Sequence, residues 1–285
     1  MINTSERNDV QRYLKDLLKE YVNICDENAL TYYVIGGTAL GAVRHHGFIP
    51  WDDDIDVAMP RPDYERLCGA NRDIVLPDRY VARDSRDLLF GSFDDTWIEI
   101  QHGDSEWDRK QPYLSIDIFP IDGTPNNHII RVLHFAHTYL LFGLVKFKRI
   151  SYIQRTEGMK NRESRPAAEK MLIRMGGIFN KLLAGVSEER LVDRFRKVSS
   201  KYDYMSSNVV GLFTGRYRQK DFFRKSVFEP GSFVDFCGLS VRAYQELTEY
   251  LIRLYGENYM ELPPEESRER HGDLRIRLIR GGDAK

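Results

Sequence analysis

Cysteine is scarce in this chain: Cys25, Cys68 and Cys237 are the three in 285 residues. They stand far apart and outside any CxxC or Cys/His ligand spacing, which argues against a disulfide framework or a zinc site and fits a reducing cytoplasm. An excess of either charge is also missing. The 42 basic and 43 acidic residues leave a net charge of −1, so there is no global footprint for nucleic acid and no polybasic or polyacidic tail. Selectivity has to come from a local site. The opening segment MINTSERNDVQRYL has no basic stretch followed by an apolar run, so no secretory signal is expected. Long hydrophobic runs are absent too. The most apolar stretch, Ile129 to Ile150, is broken by Arg131, His134, His137, Lys146 and Lys148. Its centre, Phe135 to Val145, falls short of the about 20 apolar residues that a spanning helix needs. A buried core helix is the favoured reading, and a helix lying on a membrane surface stays open because of the aromatic and basic residues. The expectation is a cytoplasmic protein, with peripheral contact at the inner face of the membrane as the variant.

What is present is a change of pattern along the chain. Val10, Tyr13, Leu14, Leu17, Leu18, Tyr21, Val22 and Cys25 recur at helical spacing, which predicts an amphipathic helix near residues 8–27. From 32 to 120 strands dominate: Tyr32 to Ile35, Asp54 to Met59, Tyr80 to Arg83, Thr96 to Gln101 and Leu114 to Phe119, with short helices at Thr38 to His45 and Pro62 to Cys68. After Asp122-Gly123-Thr124-Pro125 long helical patterns take over, at 127–149, 166–184 and 187–203, and again from Arg242 to Tyr255. Val209 to Phe213 and Phe233 to Leu239 read as short strands. The expected organisation is a core over 1–125 and a mainly helical portion over 126–285 that completes the cleft. Beyond about residue 264 the charged tail has little that could pack.

The chemistry is carried by three groups of residues. Residues two apart on a strand point to the same face, so Asp54 and Asp56 project together while Ile55 and Val57 anchor the strand. Paired carboxylates call for a hard divalent cation with oxygen ligands, and Mg²⁺ is the usual one with phosphate. Taken alone, the run from Trp51 to Asp56 could be an acidic solvated turn. The upstream Gly36-Gly37-Thr38 changes the balance: glycine lets a ligand approach the backbone, N–H groups at a helix start attract phosphate, Thr38 adds a hydroxyl and Arg44 a cation. A third aspartate, Asp117, sits between Ile116 and Ile118. So apolar a strand makes it costly to bury without a partner or a metal; an exposed edge-strand position is the alternative.

At these residues the sequence resembles the LicD family, which includes bacterial phosphocholine transferases and is related to the fukutin-related proteins. The stretch IGGTALGAVRHHGFIPWDDDIDVAMPRPDYERL, Ile35 to Leu67, carries the resemblance, with LSIDIFPIDGTP, Leu114 to Pro125, and YGENYMELPPEESRERH, Tyr255 to His271. No carboxylate of the family motif is missing. The resemblance implies an α+β fold with a nucleotidyltransferase-like mixed sheet and flanking helices. It implies Asp54, Asp56 and Asp117 as catalytic metal ligands for Mg²⁺, with Mn²⁺ as a substitute. It also implies the reaction: transfer of a substituted phosphate from a CDP-linked donor to a hydroxyl of a cell-surface glycan or its precursor, lipid-linked in one version, with release of CMP.

On that reading Gly36, Gly37, Thr38 and Arg44 hold phosphate oxygens, Asp52, Asp53 and His45 orient the loop around them, and Trp51 is a further substrate-binding residue. His271 reaches the site from the third segment, although a surface histidine is the blander account. The head group stays open among phosphocholine, phosphoethanolamine-like, aminoethylphosphonate and ribitol phosphate. A quaternary ammonium would need Trp51, Trp97, Trp107 or Tyr217 to converge. Two rivals remain: an enzyme that transfers the nucleotide itself, and a non-catalytic nucleotide-binding module of a glycan-assembly complex.

Overall fold

The structure is a computed structural model, and it describes residues 4–69, 72–86, 88–102, 113–156, 185–265, 268 and 274–278. Helix α1 (Thr4–Glu27) turns Val10, Leu14, Leu17, Leu18, Tyr21 and Cys25 into the core, as the helical spacing predicts. Strand β1 (Tyr33–Val34) leads into α2 (Gly36–His45), which is followed by β2 (Asp56–Pro60) and α3 (Arg61–Leu67). Pro62 occupies the first turn of α3, where a missing N–H costs nothing. Strands β3 (Tyr80–Asp84), β4 (Gly91–His102) and β5 (Tyr113–Gly123) complete the first part of the chain.

The rest mixes helices and strands. Helix α4 (His128–Thr156) packs on α5 (Glu188–Ser199), whose first turn is capped by the Ser187 side chain accepting from the Arg190 N–H at 3.3 Å. Then come β6 (Val209–Gly211), β7 (Phe222–Arg224), a hairpin of β8 (Ser232–Phe236) and β9 (Leu239–Ala243), α6 (Leu247–Tyr255) and β10 (Leu274–Leu278).

An eight-stranded mixed sheet organises the molecule, with path β1-β2-β5-β4-β10 and β3, β6 and β7 joined at the side. The pair β2–β5 is parallel and places Asp56 level with Asp117. Strand β5 is central, flanked by β2 and β4, so Asp117 does not lie on an edge. The main apolar cluster runs from Val10 to Leu254 and crosses the boundary expected near residue 125. A satellite cluster of Leu141, Val145, Leu191, Phe195, Phe213 and others joins α4 to α5.

The fold class is α+β, and among the described residues the second half combines its three α-helices with five short strands. The run Phe233 to Leu239 is a hairpin whose turn residues, Cys237 and Gly238, have φ of 55° and 82°. Two successive positive φ angles make the tight turn whose twist suits a two-residue hairpin loop. Arg242 therefore lies in β9, and the helix expected from it starts later, at Leu247. In the charged tail, Leu274-Arg275-Ile276-Arg277-Leu278 alternates with a period of two and pairs antiparallel with β4. Asp54 precedes β2 instead of starting it. The helix expected at 166–184 lies outside the described residues.

Candidate active site

The centre is built by the β1–α2–β2 unit and closed by β5. Gly36, the first residue of α2, has φ +55°, a left-handed conformation that glycine adopts without strain. Its N–H donates to the Tyr250 hydroxyl at 2.8 Å, which ties α6 to the turn. A Cβ at Gly36 would stand 3.2 Å from Asp56 Oδ2, and one at Gly37 would stand 2.8 Å from Asp52 Oδ2. The two glycines therefore let the carboxylates come up against the backbone of the helix start. Thr38 is buried, and its Oγ1 accepts the Asp56 N–H at 2.9 Å. Behind them Ile55 and Val57 are fully buried. The Asp117 N–H donates to the Ile55 carbonyl at 3.0 Å, which fixes the register of the two aspartate-bearing segments.

The electrostatics follow from the crowding. Burial pushes the Asp56 carboxyl well above the usual carboxylate range, and the neighbouring Asp54, Asp117 and Asp52 push it further. Like charges held together in a half-enclosed wall favour either a proton or a cation.

Around this wall opens a cavity of about 580 Å³. Asp52, Asp54 and Asp56 line one side, and the aromatic residues Trp51, Phe119, Tyr217, Tyr250, Tyr255 and Tyr259 line much of the rest. Tyr217 and Tyr255 meet edge to face, their centroids 5.6 Å apart. Three arginines also face the cavity: Arg44, Arg216 and Arg268. The Arg44 Nη1 donates to the carbonyls of Tyr259 and Glu261, both at 3.1 Å, and so straps the segment after α6 across the opening. The Arg268 guanidinium lies 4.7 Å from the centroid of Trp51. Asp221 is buried at the cavity wall and accepts the Tyr217 N–H at 2.9 Å. Burial raises its carboxyl to about 7, against the pull of the Tyr217 and Arg218 N–H groups and of Arg253.

Of the residues expected from the sequence, Gly36, Gly37, Arg44, Trp51, Asp54 and Asp56 line the cavity, with Asp117 beside Asp56 on the next strand. Thr38 does not line it; its hydroxyl holds β2 in place. Asp53 is buried away from the cavity, and Asp52 takes the lining position instead. That exchange follows from backbone direction in the segment before β2, where Asp52 to Ile55 are not yet in regular strand. His45 sits behind Arg44 and accepts from its Nε at 3.0 Å. Burial and the adjacent Arg44 cation lower its pKa, so its ring acts as an acceptor that orients Arg44. Trp97 does not line the cavity; Arg79 stacks over it at 5.1 Å. Trp107 and His271 lie outside the described residues.

Sequence reasoning missed Tyr250, Tyr255, Tyr259, Asp221 and Arg268. Tyr255 and Tyr259 stand in the YGENYMELPP stretch, so a signal for them existed. Tyr250 and Asp221 had none, because each reaches the site only through packing of distant segments.

A divalent cation fits this donor set. Among the described residues no three His, Cys, Asp or Glu side chains are gathered into a preformed metal cage. Mg²⁺ does not require one, since it keeps several waters and takes one or two carboxylates together with substrate phosphates. Asp54 and Asp56, with Asp117 level with Asp56 on the next strand, are the carboxylates that would serve such an ion.

Carboxylates at the head of one strand and at the level position within its parallel neighbour, beside a glycine-led helix in an aromatic cleft, suit a protein that handles phosphorylated ligands. The chain belongs to the LicD family. Residues 29–149 match the family model described as LicD/FKTN/FKRP, nucleotidyltransferase domain. That span contains Gly36, Gly37, Asp54, Asp56 and Asp117. The chain is similar to the lipopolysaccharide cholinephosphotransferase LicD of Haemophilus influenzae, with 30% identity over 267 residues that cover 90% of this chain and 92% of that protein. It is also similar to the human ribitol 5-phosphate transferase FKRP, with 28% identity over 112 residues, 38% of this chain and 20% of that protein. An uncharacterized protein of Rickettsia prowazekii is 42% identical over 50 residues, 18% of this chain and 19% of that one.

Proposed function

We propose that this protein is a metal-dependent transferase with a nucleotidyltransferase-like core, which moves a substituted phosphate from a CDP-linked donor to a hydroxyl of a cell-surface glycan. The observation that carries the reading is the carboxylate pair Asp54 and Asp56 on the cavity wall, with Asp117 level with Asp56 on the next strand, set against the glycine-led start of α2. The names of the two characterised relatives support it, since each describes transfer of a phosphate-bearing group.

Asp54 and Asp56 are the residues that would hold Mg²⁺ or Mn²⁺, with Asp117 as the third carboxylate. When bound, the ion neutralises charge on the donor diphosphate and on the departing nucleotide. The start of α2 has no side-chain cap at Ile35, so its end presents backbone donors and the positive end of the helix dipole to phosphate. Arg44 and Arg216 add cationic charge along the cavity wall. Asp117 completes the carboxylate set or takes the proton of the acceptor hydroxyl. The acceptor oxygen bonds to the phosphorus distal to the nucleoside, and the bond from that phosphorus to the bridging oxygen breaks to release CMP.

Phosphocholine is the head group that fits best. Trp51, Tyr217, Tyr255 and Tyr259 supply aromatic faces, and the guanidinium over Trp51 marks one face that accepts a cation. The test is CMP release from a panel of CDP-linked donors with Mg²⁺ and a glycan acceptor. Asp56→Asn is expected to lower turnover by about a thousandfold, a transition-state loss of ~4 kcal/mol. Mass spectrometry of the acceptor completes it: a CMP-modified product would show nucleotide transfer and overturn the proposal.

A further inference from the structure

Helix α4 is apolar on two opposite faces, and only one of them is covered. The inner face, with His134, Thr138, Leu141 and Val145, is buried against α5 and against Phe213 and Phe222. On the outer side Ile129 is 70% exposed, Val132 51%, Leu133 65% and Leu140 62%, with Ala136 exposed between them. These positions fall at helical spacing and form one stripe. Ile130, 48% exposed, widens it at the N-terminal end. Single exposed apolar residues are ordinary on a protein surface, but a continuous stripe of large ones marks an interaction site.

Charge identifies the occupant. The 29 residues of α4 contain no aspartate or glutamate and five basic residues; Arg131 donates to the Pro125 carbonyl and Arg149 pairs with Glu188 at 2.7 Å, which leaves Lys146 and Lys148 as the lysines that flank the stripe. Lys146 is exposed at the C-terminal side of the stripe, with its ammonium 4.5 Å from the Phe142 ring centroid. An apolar stripe with cations and no anions on its own helix suits a surface that is apolar inside and negative at its face, which is a bilayer containing anionic lipid. Against the expectation from the sequence, the segment His128–Arg149 is, by length and composition, long and apolar enough to cross a membrane. The buried inner face argues for a different arrangement, because spanning would pull His134, Thr138, Leu141 and Val145 out of the protein core.

We propose that the outward stripe of α4, from Ile129 to Leu140, is a docking surface on which the protein lies against an anionic lipid bilayer. The surface is separate from the cavity, so the proposal stands independently of the reaction assigned above.

The experiment is flotation of the purified full chain with vesicles of phosphatidylcholine alone and of phosphatidylcholine mixed with phosphatidylglycerol. The expected result is co-flotation with the mixed vesicles, weakened by salt and abolished by Leu133→Glu combined with Leu140→Glu. Both positions are exposed, so circular dichroism of that variant should match the parent. Lys146→Gln is the second variant, expected to weaken partition onto mixed vesicles about fivefold, the equivalent of ~1 kcal/mol for one surface cation. Absence of binding to either vesicle would overturn the proposal, as would binding that neither variant changes. A doubled mass in light scattering that the paired substitution returns to the monomer, without vesicle binding, would reassign the face to a second copy of this chain and overturn it equally.

Discussion

Tyr250 gives the helix start its acceptor for the Gly36 N–H, and it does so from a residue far along the chain. Tyr250→Phe keeps the ring and removes the oxygen, leaving the half-buried Gly36 N–H without its protein acceptor. The expected cost is about 1 kcal/mol of stability, measured by urea denaturation. Gly37 supports a different test. Its added Cβ would meet the end of the Asp52 side chain at 2.8 Å, whereas a Cβ at Gly41 would meet the Gly47 carbonyl oxygen on the backbone, which cannot rotate away. Gly37→Ala is therefore expected to keep the fold and disturb the carboxylate wall, and Gly41→Ala to lower the melting temperature. Asp221 supplies a pH signature. Its carboxyl titrates at about 7 in the folded protein because it is buried, against about 3.9 when unfolded. Between those values the native state holds the proton more firmly, so its contribution to stability is present at low pH and is lost as pH rises through 7. Asp221→Asn has no such titration and keeps an acceptor for the Tyr217 N–H. Its stability relative to the parent should rise between pH 5 and pH 8, and urea midpoints at the two pH values would show it.

At the scale of elements, the ends of strands are held by few but strong links. Arg61, at the start of α3, makes a two-pronged pair with Asp122 near the end of β5, at 2.7 and 2.9 Å. Asp122 is 2% exposed. Burial raises its carboxyl pKa and the guanidinium opposes the rise. Arg61→Ala would leave that carboxylate buried without its main cation, at an expected cost of about 3–5 kcal/mol. The pairing of β10 with β4 bears on any truncation of the tail. Removing residues after 264 exposes the β4 edge as well as deleting His271, so lost turnover in the shortened chain would not isolate the histidine; His271→Ala would. A chain ending before Leu274 should melt below the parent in calorimetry, because the hydrogen-bonded register from Ile98 to His102 is lost. The alternation in Leu274 to Leu278 was legible in the sequence, but the surrounding charge masked it.

The whole molecule has a large core around the mixed sheet and a smaller one between α4 and α5. Phe195 and Val145 sit at the centre of the smaller cluster, both buried. Fewer apolar groups hold it, so native-state hydrogen exchange should show α5 amides opening at lower free energy than those of β2 and β5. A common opening free energy for all of these elements would count against two separable cores. The site belongs to the large core, since its carboxylates stand on β5 and at the head of β2, while the proposed lipid-facing stripe belongs to the helix that borders the small one.

Local pattern was enough for the fold class and for most of the residues that meet at the cavity. Helical spacing in α1, the Gly36-Gly37 start of α2, the anchors Ile55 and Val57 and the isoleucines around Asp117 are short-range signals, and the structure places each where its period implies. The family resemblance rested on the same stretches, which is why the membership was readable from them. Tertiary structure alone decided that Asp52 and not Asp53 faces the cavity, that the Thr38 oxygen serves the Asp56 N–H, and that Tyr250 and Asp221 belong to the wall. It also decided that the second half continues the sheet. In each case the deciding contact joins residues far apart in the chain or depends on backbone direction outside regular strand, and neither is encoded in the local period of polar and apolar side chains.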